Sequence, residues 1–124
     1  MDTDHKQTPL VEISWKSPVL LVHPAGPQIG QRETPILNDE IRPFLKKAGK
    51  ALKFLVIDAS SVTFMSSMGL GMLIGLRNEA NAVGAKSVLY GANKDLLGVL
   101  SVMKIEKLFT IVKDQDAMRK IVQG

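Results

Sequence analysis

The chain contains no cysteine, only two histidines, one tryptophan and one tyrosine, and no apolar run long enough to cross a bilayer. The missing cysteines exclude disulfides, a thiol nucleophile and any thiolate metal site, and they are compatible with a reducing compartment. His5 lies near the N-terminus and His23 just before Pro24, as an expected loop residue, so a histidine-dependent triad or a two-histidine metal site would have to recruit the terminal segment. Neither a catalytic residue nor a metal ligand is assigned. The paired carboxylates Asp39-Glu40 and Asp114 with Asp116 fall where helix starts and solvated faces place acids, which is no signal of acid–base chemistry. The most apolar stretch, residues 65–76, is broken by Ser66, Ser67 and three glycines. It falls short of the roughly 20 apolar residues that a spanning helix needs. The N-terminus has no apolar segment of the kind a secretory signal carries. The reading is a cytoplasmic protein without a membrane span. Net charge is also modest, at +4, and its lysines are dispersed except for Lys46, Lys47, Lys50 and Lys53. That cluster reads as a solvated helix end, and no nucleic-acid partner is assigned.

What is present suits one α/β domain. The 124 residues, 45% of them hydrophobic, can bury a core unaided. Residues 1–8 read as a flexible tail and 9–124 as the domain. Two β-like runs, 10–15 and 19–22, flank the turn Lys16-Ser17-Pro18 and are expected to pair as a hairpin. Pro24-Ala25-Gly26-Pro27 then interrupts regular structure, leaving an exposed loop to Gln31. Thr34 followed by Pro35 marks a helix start, with Leu37, Ile41, Phe44, Leu45 and Ala48 at helical spacing and Pro43 expected to kink or shorten the helix. Residues 54–57 form a continuous apolar run ending in Asp58, as in a strand covered on both faces. A loop over 59–65 leads to a helix from about Ser67, with Leu70, Leu73, Leu76, Ala80 and Val83 inward and Gly84 ending it. A strand at 87–90, a helix over 96–102 capped by Asn93, a strand at 108–112 and a final helix after Asp114 complete the alternation. The expected architecture is a mixed, mostly parallel sheet of 4–5 strands with about four helices, opened by an N-terminal strand pair.

Two features could carry function. The string Gly69-Leu70-Gly71-Met72-Leu73-Ile74-Gly75 has the look of a nucleotide-binding glycine motif. Its spacing departs from GxGxxG, and it follows a loop of seven residues instead of a tight turn off the strand. The plainer reading is that Gly71 and Gly75 let the helix pack closely against the sheet or a neighbouring element. No cofactor is assigned. Ser66 and Ser67 stand at the mouth of the same helix, where one hydroxyl can cap it and either can receive a phosphate facing free N–H groups. A plain helix cap is the alternative, and Ser66, on the loop side, is the serine expected to cap. Met65 and Met68 flank the pair with adaptable apolar area, and the glycines that follow keep bulk off the first turn, as a docking surface needs.

The run from Phe54 through Asp58, Val62-Thr63-Phe64-Met65 and Ser66-Ser67-Met68-Gly69-Leu70-Gly71 resembles the signature of STAS domains, the sulfate-transporter and anti-sigma-factor-antagonist family. Residues 96–109 are similar to that family's third helix and its approach to the last strand. The resemblance implies a binding protein without catalytic activity. It implies an anti-sigma factor antagonist whose partner is an anti-sigma factor, or serine kinase, with an ATP-binding kinase-like fold. Phosphorylation at Ser67, with Ser66 as the alternative acceptor, would release that partner and so regulate transcription. The implied partner surface comprises Met65, Ser66, Ser67, Met68 and Gly69, flanked by Gly26, Gln28 and Gly30 and by Gly91 and Asn93. A weak homodimer is compatible with this reading. Two positions depart from the signature: Ser66 stands where the family has aspartate, and Met68 where it has a small residue. Some family members serve lipid transport or signalling assemblies without obligatory phosphorylation. A scaffold or transport accessory subunit is therefore the second reading, and a nucleotide-binding enzyme built on the glycine string the third.

Overall fold

A strand apolar on consecutive residues needs cover on both faces, and Phe54–Asp58 lies in the middle of the sheet. The computed structural model describes residues 3–123. In chain order the strands are β1 Thr3–Gln7, β2 Val11–Lys16, β3 Val19–Pro24, β4 Gln28–Ile29, β5 Phe54–Asp58, β6 Phe64–Met65, β7 Lys86–Tyr90 and β8 Thr110–Val112. The helices are α1 Glu33–Ala48, α2 Ser67–Ala82, α3 Lys94–Val102 and α4 Gln115–Gln123. The main sheet runs β1-β2-β3-β5-β7-β8. Its first three strands pair antiparallel and the rest parallel.

Alternation along β5 sends Leu55 and Ile57 into one core layer and Val56 into the other. The larger layer lies under α1, α2 and α3 and includes Leu37, Ile41, Leu73, Leu76, Leu89 and Leu100. The smaller is Val56, Val88 and Val112, covered by half-buried Met118, Ile121 and Val122 of α4. Asp114 starts that helix by accepting the Ala117 N–H at 2.8 Å.

Several expectations are corrected. The main sheet has six strands, not four or five, because residues 3–7 of the expected tail form β1, with Thr3 opposite Lys16 and Gln7 opposite Glu12. The segment has no apolar pattern. It is held by backbone pairing and by polar side chains, Lys6 to Glu40 and Asp4 to Lys47 on α1 and His5 to Glu12 at 3.0 Å. The Lys47 hydrogen bond and charge hold the Asp4 carboxyl below the usual carboxylate range. Residues 1–2 of the expected tail lie outside the described ones. His23 belongs to β3, not to a loop, and Pro24 still pairs with Val11 as the strand's last residue.

Thr34 does not cap α1 but sits inside its first turn, donating its hydroxyl to Gly30 O at 2.7 Å, while Glu33 accepts the Gly30 N–H at 2.9 Å. Pro43 neither ends nor shortens α1, which continues to Ala48. Pro43 and Asp39, whose carbonyl loses its helical donor, both face solvent, while Ile41, Phe44, Leu45 and Ala48 stay anchored in the core. The last strand begins at Thr110, after a 3₁₀ turn over Glu106–Leu108.

Candidate functional site

Three loops meet at the C-terminal ends of the parallel strands, the edge where open α/β sheets place their sites. The loop after β3 and the loop after β5 are joined by a second, two-stranded sheet in which Gln28 pairs with Phe64 and Ile29 with Met65. Pro27 O accepts the Thr63 N–H at 2.7 Å and the Phe64 N–H at 3.2 Å. The third loop, after β7, is tied in by Asn93. Its side-chain amide donates to Val62 O at 3.4 Å and Thr63 O at 3.3 Å, and its carbonyl oxygen caps α3 by accepting the Leu96 N–H at 2.8 Å.

Backbone shape makes this junction tight. Gly26 has φ +65°, and a Cβ there would stand 2.0 Å from Ser61 O. Gly91 has φ +75°, and its Cβ would meet Ser60 Cβ at 2.9 Å. Only glycine takes such conformations at such distances without strain. Asp58, ending β5, accepts from the Ser60 N–H at 3.0 Å and the Ser60 hydroxyl at 2.6 Å, which turns the chain at that point. His23 Nε2 lies 3.0 Å from Ser61 Oγ, so this histidine braces the same loop.

The serine pair divides its roles by geometry. Ser66 has extended backbone and is the N-cap of α2: its Oγ accepts the Gly69 N–H at 3.2 Å, its carbonyl accepts the Leu70 N–H at 2.9 Å, and its own N–H bonds Ile29 O at 2.9 Å. Ser67, the first helical residue, is exposed, and its hydroxyl makes no hydrogen bond among the described residues. A group attached there would face the free amide end of α2, where anions are favoured.

The other expected residues are distributed unevenly. Met68 is 47% exposed and Gln28 exposed, while Met65, Gly26, Gly30, Gly91 and Asn93 are half-buried. Gly69 is buried: a Cβ would lie 2.7 Å from Met65 Cγ and 2.8 Å from Ile29 O. It supports the site from beneath and is not part of its surface. The close-packing role expected of Gly71 and Gly75 therefore moves to Gly69. Gly71 opens to solvent, and Gly75 meets only the end of Arg42 from α1. The glycines do not converge on a phosphate cradle, since the Gly69 N–H is already used by Ser66.

Two apolar features were not anticipated. Phe64 is 56% exposed, because the pairing of β6 turns alternate side chains apart and leaves the ring outside Met65. On α3 and at its C-cap, Val99, Val102 and Met103 are also exposed, Val102 at 83%. A two-residue strand leaves no periodic trace, so the sequence carried no signal for Phe64. For α3 the available signal was the number of apolar residues, which exceeds what one buried stripe can take.

Comparison with known proteins agrees with this geometry. The STAS domain family model matches residues 12–118. Among solved structures, an anti-sigma factor antagonist from Mycobacterium paratuberculosis superposes with a TM-score of 0.73 at 19% identity, covering 98% of this chain and 93% of that one. The Bacillus cell fate determinant SpoIIAA in its phosphorylated form gives 0.65 at 13% identity, covering 96% and 98%. The murine anion transporter Slc26a9 gives 0.74 at 16% identity, with 98% of this chain matched to 22% of the transporter. These likenesses establish a shared fold.

Proposed function

The chain belongs to the STAS domain family, and from that premise we propose that it is an anti-sigma factor antagonist, a binding protein that itself catalyses nothing. The observation that carries this reading is the juxtaposition of an unbonded, exposed Ser67 hydroxyl on the first turn of α2 with uncovered Phe64 and Met68. Large apolar side chains left in water at a rigid junction suit a protein partner. The partner is an anti-sigma factor with an ATP-binding kinase-like fold, and phosphate on Ser67 releases it. Two named relatives of this fold support the role: one is described as an anti-sigma factor antagonist, and SpoIIAA is described in both unphosphorylated and phosphorylated forms. No helix among the described residues is long and apolar enough to cross a membrane. A cytoplasmic location is part of the proposal.

The replacement of the signature aspartate by Ser66 favours a second reading, a phosphorylation-independent scaffold or accessory subunit of a transport assembly using the same surface. Copurification from the native cell separates the two. The expected result is a kinase-like anti-sigma factor that leaves the complex when Ser67 is phosphorylated. Recovery of transport components, bound equally well by the phosphorylated chain, would overturn the switch in favour of the scaffold.

A further inference from the structure

The opposite pole of the parallel strands holds a recess that the partner switch does not use. The loop after α2 and the turn before β8 border a cavity of about 330 Å³ whose lining includes Arg77, Asn81, Lys86, Ser87, Lys107 and Thr110. Three of these residues are cations, and no lining residue is acidic. None of the three makes an ion pair among the described residues. Arg77 is held by neutral acceptors instead: its Nε–H donates to Leu108 O at 3.2 Å and a terminal N–H to Asn78 Oδ1 at 3.2 Å. Its charge is positioned and uncompensated.

Ser87 supplies the second, independent observation. The residue is 5% exposed, and its buried hydroxyl has no hydrogen-bond partner among the described residues. Leaving a buried donor unbonded costs stability, so such a group requires a reason. An acceptor-rich ligand in the recess provides one. The C-terminal end of α2 opposes an anion, but a helix end amounts to only about half an elementary charge. Its last carbonyls are also occupied, Ala80 O by the Val83 and Ala85 N–H groups and Asn81 O by the Gly84 N–H. Three whole cations outweigh it.

We infer that this recess binds the phosphoryl group of a small, soluble phosphorylated compound. A tetrahedral oxyanion offers enough acceptors for the remaining Arg77 N–H groups, two ammonium groups and a hydroxyl together, which a halide or a carboxylate does not. The volume lies at the low end of small-molecule sites, roughly 300–1,000 Å³, and so admits a phosphoryl group with a short carrier. The recess lies about 15 Å along α2 from Ser67, ten residues at about 1.5 Å each. Its test therefore stands apart from that of the partner switch.

The experiment is calorimetric titration of the full chain with sodium pyrophosphate at fixed ionic strength, with thermal unfolding alongside. Saturable binding to one site and a melting temperature that rises with ligand concentration are expected. Lys86→Gln and Lys107→Gln, both at exposed positions, should each weaken binding on the order of tenfold, the loss of one charge-assisted hydrogen bond. Lys46→Gln/Lys50→Gln removes the same charge as the Lys86→Gln/Lys107→Gln pair but outside the recess, and should leave affinity unchanged. Ser87→Ala should leave the unliganded protein at least as stable yet bind pyrophosphate several-fold more weakly. Absence of saturable binding, equal losses in the two lysine pairs, or an undiminished affinity in Ser87→Ala would each overturn the site. Vesicles of phosphatidylcholine with and without phosphatidic acid complete the test. Binding to the acidic vesicles with none to pyrophosphate would replace the soluble ligand by a lipid headgroup.

Discussion

Phosphorylation of Ser67 should separate stability from binding, and the size of each effect follows from the helix start. A phosphate brings about −1.5 to −2 charges at neutral pH. At the first residue of α2 it meets the Ser67 and Met68 N–H groups, since the Gly69 and Leu70 N–H groups are already taken by Ser66. An anion in the first turn is favoured by about 0.3–1 kcal/mol when exposed. The melting temperature should hold or rise by about 1–5 °C for a domain of this size. A partner packed on Phe64 and Met68 would instead bury the phosphate, and an uncompensated buried charge costs on the order of 3–5 kcal/mol. Affinity should fall by about two to nearly four orders of magnitude. Thermal unfolding and affinity for the copurified partner, measured on the enzymatically phosphorylated chain and on Ser67→Asp, give both numbers. Unchanged affinity in a folded, phosphorylated chain would refute the switch. A large loss of stability would contradict the exposed Ser67 hydroxyl and assign that residue to the fold.

Three further outcomes test the frame around the site. Leu73, 2% exposed in the core beneath α2, should cost about 2–5 kcal/mol on truncation to alanine in denaturant unfolding; a much smaller loss would mean that α2 does not seat on the sheet as described. Ser66→Ala should cost about 0.5–2 kcal/mol through loss of the cap, with the 3.2 Å bond placing it in the lower half of that range. Ser66→Asp should keep stability and partner binding, and abolished binding would sink the family-based account of this loop. Gly26→Ala should lose about 1–3 kcal/mol or more, because positive φ and the Ser61 carbonyl both oppose a side chain there; an unperturbed protein would show that the junction of the two loops yields easily.

The elements legible in the sequence were those with a distinct apolar pattern, whether a continuous run or a helical repeat. Residues 54–58 read as a doubly covered strand because apolar residues follow one another without alternation, and they form the central β5. The start of α2 and both later caps, Asn93 and Asp114, were readable because a short polar side chain preceded an apolar helical pattern. β1 was not, since Thr3-Asp4-His5-Lys6-Gln7 has no apolar face. An edge strand needs none, and charged side chains there discourage pairing with other chains. Pro43 misled for a related reason. The rule against proline inside a helix is a statement about a lost hydrogen bond, and on a solvated face water can take the orphaned carbonyl while the opposite face holds the helix.

The site shows the same division between local pattern and tertiary placement. Sequence spacing put Ser66, Ser67 and Gly69 together and pointed to Ser66 as the cap, because it holds the loop-side position from which a hydroxyl reaches the first turn. The occupant is decided by where the chain enters: the bond from Ser66 N–H to Ile29 O fixes the extended backbone of Ser66 and aims its Oγ at Gly69. That bond depends on the pairing of β4 with β6, two residues each, too short to leave a periodic trace. Once Ser66 is the cap, serine in place of the signature aspartate has a definite consequence. Both residue types cap a helix well, so the geometry at Ser67 is kept while one negative charge leaves the first turn. Phosphate added to Ser67 then turns a neutral helix start into an anionic one, instead of adding to charge already present. Introducing Ser66→Asp would add one negative charge to both states alike, so the difference between them would remain the phosphate's own charge of about −1.5 to −2.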